Sequence, residues 1–133
     1  MKKVLVLMIV MTITCGLFAQ QSNSGIKKNC EVDLKTYYKL TNSDANNYYY
    51  QIDFSKFTTK FEKNYFMNLI YKNSVLVSID SDLSKAKMNL IANIFHSEQK
   101  IIENIEDVIF KTVNANSTFT ELEKQNWMTS NIK

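Results

Sequence analysis

Residues 73–92 read NSVLVSIDSDLSKAKMNLIA, and this stretch decides the fold class. Val75, Val77 and Ile79 alternate, the period-two pattern of a strand with one covered face. Asp80-Ser81-Asp82 is turn chemistry, because short polar side chains bond their own backbone there. Ala86, Met88, Leu90 and Ala92 then alternate with Lys87 and Asn89. A second strand therefore returns antiparallel to the first through a short connection.

Outward from this hairpin, helical periods flank it on both sides. Upstream, Tyr48, Tyr50 and Ile52 alternate with Tyr49 and Gln51 as an earlier strand. Asp53 or Ser55 then offers a cap. Phe54, Phe57, Phe61, Tyr65 and Leu69 fall three or four apart, with Phe66 and Ile70 beside them, predicting one helix over 54–71. Downstream, Ser97 caps a helix with Glu98 in its positive first turn. Ile101, Ile102, Ile105, Val108 and Ile109 form its stripe, with Glu103, Asn104, Glu106 and Asp107 on its wet face. Asn114 to Ser117 reads as a loop, and Thr118 with Glu121 as the capping box of a short tail helix holding Leu122 and Trp127. The order β-α-β-β-α predicts an α+β sandwich, two helices on one face of a small antiparallel sheet. This is the ferredoxin-like order, with an uncertain fourth strand.

The chain before Asn47 is read as a flexible lead-in over 20–46, since Gln20 to Lys28 is polar and Glu31 to Leu40 has no clean period. Thr41 to Asn47 is a run of turn formers and marks a boundary. The domain is then expected over 47–113 and the tail over 114–133. At the N-terminus, Lys2 and Lys3 precede an apolar run from Val4 to Ile13, and Ala19 closes a small-residue region. That is the pattern of a signal peptide over 1–19, and the run is shorter than the roughly 20 residues a membrane-crossing helix needs. The expected location is periplasmic or secreted, with no membrane span after cleavage. Cys15 follows the apolar run as a lipoprotein cysteine would, but Thr12 stands where an aliphatic residue is wanted. Without Lys2 and Lys3, fourteen lysines face thirteen acids, a net charge of +1. So small an excess carries no footprint for nucleic acid. Cys30 would be the lone cysteine of the exported chain, unable to form an internal disulfide.

Residues 73–88, followed by EQKIIENIED over 98–107, resemble the heavy-metal-associated domain of copper chaperones and metal-transport ATPases. The shared features are a valine-rich strand, an acidic turn, an Ala-Lys strand and a helix of the K-I-I-x-x-I-E type. Upstream, Lys60-Phe-Glu-Lys63 is similar to that family's first helix, so the resemblance covers about Tyr48 to Thr112. It implies the ferredoxin-like fold. In that family a Met-x-Cys-x-x-Cys loop holds a soft metal through two thiolates, a ligand pair suited to Cu(I) and zinc. The same alignment places Phe54 and Phe57 at the two cysteine positions. The spacing is kept and the ligands are gone, so no cofactor is expected and copper is the exception to test. Met67, Met88, His96 and Met128 are the remaining soft or imidazole groups. Methionines at such spacing are core filler, and a lone histidine before a helix is solvated. Met67, His96 and Cys30 are the only candidate ligands for a heavy-metal carrier with non-canonical ligands, the alternative function.

Other chemistry finds no constellation. Asp80 and Asp82 sit two apart in a turn, there are two glycines and no phosphate loop, and His96 is the only histidine. An enzyme is not expected. Tyr48, Tyr49 and Tyr50 are consecutive, so a strand points at least one of them away from the core. With Tyr37 and Tyr38 upstream, they form a candidate interaction surface. The leading expectation is a non-catalytic binding or accessory module of the cell envelope, whose partner is a protein or small ligand.

Overall fold

The computed structural model describes residues 32–80 and 82–132. The expected signal segment, Cys15 and Cys30 lie outside the described residues. The compact unit begins at Leu34.

Four strands form one sheet: β1 (Tyr38–Ser43), β2 (Asn47–Asp53), β3 (Leu76–Ser78) and β4 (Lys87–Asn93). Their order across the sheet is β1-β2-β4-β3, with every neighbouring pair antiparallel. Among the described residues three α-helices accompany them: α1 (Lys60–Tyr71), α2 (Glu98–Thr118) and α3 (Glu121–Asn131). Alternation along the strands sends Tyr50, Ile52, Met88, Leu90 and Ala92 to one face, where they are fully covered. Phe66, Met67 and Ile70 of α1 and Ile101, Ile105, Val108 and Ile109 of α2 join them in a single core. The α+β class and the small antiparallel sheet are as the sequence predicts.

The sheet has a strand inside the predicted lead-in. β1 pairs with β2 from Tyr38↔Ile52 to Ser43↔Tyr48, with a bulge between Leu40 and Asn42. Only the last part of the predicted boundary is a turn. There the Asp44 carboxylate accepts the backbone N–H groups of Asn46 and Asn47 at 2.7 and 2.8 Å. The strand is exposed along most of its length: only Tyr38 packs against the core, and Leu40 is 44 % exposed. Tyr38 also donates its hydroxyl to Glu106 on α2 at 2.8 Å, so the wet face of that helix is partly in use.

The helix predicted over 54–71 starts six residues later. Phe54–Lys56 is a 3-10 turn, tied to the approach of β4 by the Ser55 N–H donating to the Ala86 carbonyl at 3.0 Å. Phe54 and Phe57 are 0 % and 1 % exposed and plug the core beside Phe66. Neither Asp53 nor Ser55 caps α1. Thr59 does, accepting the Glu62 N–H at 3.1 Å while Glu62 accepts the Thr59 N–H at 3.0 Å. This reciprocal pair is a complete capping box.

β3 faces the opposite way from the predicted alternation. Leu76 opposes Ala92 and is covered, whereas Val77 opposes Ile91 and is 61 % exposed. Asn73 Oδ1 accepts the N–H groups of Val75 and Leu76 at 2.8 and 3.0 Å, so the chain enters the strand through an Asn turn. That turn shifts the phase by one residue, and a one-residue shift exchanges the faces.

α2 also runs past its predicted end at Val113, because Thr112 and Ala115 continue the buried stripe. Asparagine in a helix costs only about 0.7 kcal/mol against alanine, which such burial offsets. The second capping box is accordingly Thr120 with Glu123, not Thr118 with Glu121. α3 buries no residue fully. Its Trp127 ring stacks 4.9 Å from Tyr65 and 5.5 Å from Phe61, and Phe119 lies 5.7 Å from Phe61.

Candidate functional site: the open face of the sheet

The helices of the core occupy one face of the sheet, and the other face presents its own side chains. Strand register orders them into rows, since directly opposed residues share a face. One row is Asn42, Tyr49, Ile91 and Val77, running from β1 to β3. The next is Lys39, Gln51 and Asn89, with Ile79 beyond, whose N–H donates to the Asn89 carbonyl at 3.1 Å. Asp53 and Lys87 form the last pair. The face is therefore apolar toward β3, where Val77 is 61 % and Ile79 56 % exposed, and charged at the end where Lys39, Asp53 and Lys87 lie.

Tyr49 stands at the centre of the apolar row, half-buried. Its hydroxyl donates to Asp44 Oδ2 at 2.6 Å. That bond pushes the Tyr49 phenol above its ordinary range and holds the Asp44 carboxyl below its own, helped by the Asn46 and Asn47 N–H groups. The β1–β2 turn thus fixes the ring's direction. In the next row Gln51 Nε2 donates to Asn89 Oδ1 at 3.3 Å.

At the charged end a cleft of about 320 Å³ opens between Thr36, Tyr37, Tyr38, Lys39, Gln51, Asp53 and Lys87. Tyr37 is set into its wall by the Phe57 ring at 5.5 Å, and Lys56 Nζ lies 5.0 Å from its centroid. Burial, then the charges of Glu62 and Asp53, raise the Tyr37 phenol, so it stays a hydrogen-bond donor at neutral pH.

The predicted site residues separate. Of the three tyrosines, only Tyr49 belongs to the open face. Tyr50 is 1 % exposed under the helices, its phenol raised by burial, and Tyr48 packs against the core beside it. Phe54 and Phe57 are core residues and Met67 packs with them. Met88 is fully covered on β4. His96 lies in the turn before α2, where its N–H donates to the Asn93 carbonyl at 3.1 Å. Among the described residues no three His, Cys, Asp or Glu side chains gather in a metal-holding group. Asp80 and Asp82 serve the β3–β4 connection. Asp80 accepts from Lys85 Nζ at 2.7 Å and from the Asn89 backbone N–H at 2.8 Å, and Asp82 from the Ser84 N–H at 2.9 Å. The lysines of the cleft carry no sequence signal, because Lys39 and Lys87 lie on strands that only the register brings to one side of β2.

No described helix is long and apolar enough to cross a membrane. Compared with family models, curated proteins and solved structures, the chain finds no match.

Proposed function

We propose that the chain is an exported, non-catalytic binding module of the cell envelope, a degenerate heavy-metal-associated domain that binds a partner protein through its open sheet face. The observation that carries this reading is the apolar strip of Tyr49, Ile91, Val77 and Ile79 on the face the core helices leave free. Exposed apolar residues gathered in one patch mark interaction sites more than scattered ones do. Two further features support it. The series β2-α1-β3-β4-α2 follows the ferredoxin-like order, and β1 lies beside β2 where that fold's last strand would lie. The positions of the family's thiolates hold the buried Phe54 and Phe57, which leaves that end of the fold to packing. Export rests on Lys2, Lys3, the apolar run and Ala19.

The test is site-specific photocrosslinking in the producing cell. A photoreactive residue at position 77 should give a discrete adduct, lost on Tyr49→Ala and Ile79→Lys, while one at exposed position 84 gives none. Equal adducts from 77 and 84, or an adduct indifferent to both substitutions, would refute the assignment of this face.

A further inference from the structure

We propose that the cleft at the charged end of the open face is a second, small-molecule site, which takes a hydroxylated carboxylate of the size of an acidic monosaccharide. The inference stands apart from the protein-binding reading, because it uses the opposite end of the sheet.

Size comes first. The cleft measures about 320 Å³, at the lower end of the roughly 300–1,000 Å³ typical of ligand pockets. One sugar ring suits it better than an oligomer. Charge comes next. Lys39 on β1 and Lys87 on β4 flank β2 on either side, through the pairs Lys39↔Gln51 and Asp53↔Lys87. Neither ammonium has an ion-pair partner within 4.0 Å among the described residues. An anion in the cleft supplies an ammonium with the partner it lacks. A metal cation is disfavoured by the same two charges.

The remaining groups define the rest of the ligand. The Asp53 carboxylate stands beside Lys87 and is bonded by the Ser55 hydroxyl. A carboxylate accepts hydroxyl groups and repels polyanions, so one negative charge with several hydroxyls fits better than a phosphate chain. Tyr37 adds a protonated phenol and a ring edge, held by Phe57 and Lys56. Gln51 adds an amide held in place by Asn89. Two tyrosine rings beside several convergent polar and charged groups suit a hydroxylated, sugar-sized ligand.

The experiment is a titration of the purified chain followed by amide NMR shifts, with glucuronate, glucose and inorganic phosphate as the three probes. Glucuronate should move the amides of Lys39, Gln51, Asp53 and Lys87 in a saturable way. Loss of the ammonium contacts predicts affinity about tenfold weaker in the Lys39→Gln, Lys87→Gln double variant. Both lysines lie on the sheet's outer side, and an unchanged thermal midpoint shows that the variant folds. Asp53→Asn should weaken glucuronate and favour phosphate. Glucose binding as tightly as glucuronate would remove the charge from the recognition. Phosphate binding in place of glucuronate would overturn the hydroxylated-carboxylate class. Shifts elsewhere, or the same affinity in the double variant, would overturn the site.

Discussion

Asp80 gives the sharpest test of how the sheet is held, because its side chain does the work of a missing strand residue. β3 ends at Ser78, yet β4 continues toward Lys87 and its Asn89 N–H still needs a partner. The Asp80 carboxylate accepts that N–H at 2.8 Å and the Asn89 side-chain amide at 2.9 Å, while its other oxygen accepts Lys85 Nζ at 2.7 Å. The Asp80 side chain is 11 % exposed and that of Lys85 51 %. The ion pair is exposed on its Lys85 side and contributes little once solvent screening is allowed for. Leaving the Asn89 N–H without a partner costs about 1–3 kcal/mol. Asp80→Ala should therefore cost about 2 kcal/mol, and Lys85→Ala much less. For a domain of this size, 2 kcal/mol lowers the thermal midpoint by roughly 10 °C.

The pH dependence follows from the same geometry. The hydrogen bond from Lys85, then the Asn89 N–H, hold the Asp80 carboxyl below its ordinary value of 3.8. A depressed carboxyl stabilises the fold fully above its unfolded pKa and loses that contribution as pH falls through the folded one. Urea unfolding of the wild type, Asp80→Ala and Lys85→Ala at a series of pH values measures it. The gap between wild type and Asp80→Ala should be constant through neutral pH and narrow below 3.8. A variant no weaker than Lys85→Ala, or a gap that persists unchanged at the lowest pH, would refute the strand-substitute role.

Three other expectations follow from the packing. Restoring the family's spacing with Phe54→Cys and Phe57→Cys should remove about 3 kcal/mol or more at each site and abolish cooperative unfolding. Tight Cu(I) binding by a still-folded variant would contradict the burial of both rings. Trp127→Ala should release α3, read as faster hydrogen exchange at 121–131 with β2 and β4 amides unchanged. Unaltered protection across α3 would show that the stacking on Tyr65 and Phe61 does not hold it. Thr59→Ala should cost about 1 kcal/mol in urea unfolding, as the loss of a cap does. Thr118→Ala, outside both capping boxes, should cost clearly less, and an equal or larger loss there would place the cap where the sequence first suggests it.

The strongest periods were legible because burial enforces them over many residues. Ile101, Ile105, Val108 and Ile109 of α2 and Met88, Leu90 and Ala92 of β4 face the core as their spacing requires, whereas Ile102 of the predicted stripe is only partly covered. The capping box at Thr59 and Glu62 was written in the sequence as well, but the aromatic run from Phe54 concealed it. Phe54 and Phe57 stand at helical spacing from Phe61 by coincidence, since a 3-10 turn brings them to the same core from outside the helix. The Phe61 and Tyr65 side of α1 faces Trp127 and Phe119 rather than the sheet.

The local pattern determined that strands and amphipathic helices would share one core, and that Tyr49 would point away from Tyr48 and Tyr50. Tertiary structure decided which elements complete the sheet and which way β3 faces. β1 becomes a strand because β2 offers a free edge, a contact that no local period records. Val77 becomes exposed because the Asn73 turn sets the phase, and only pairing with Ile91 shows it. The candidate sites share that origin. Their side chains come from distant segments, and register, acting through backbone hydrogen bonds, decides which of them meet.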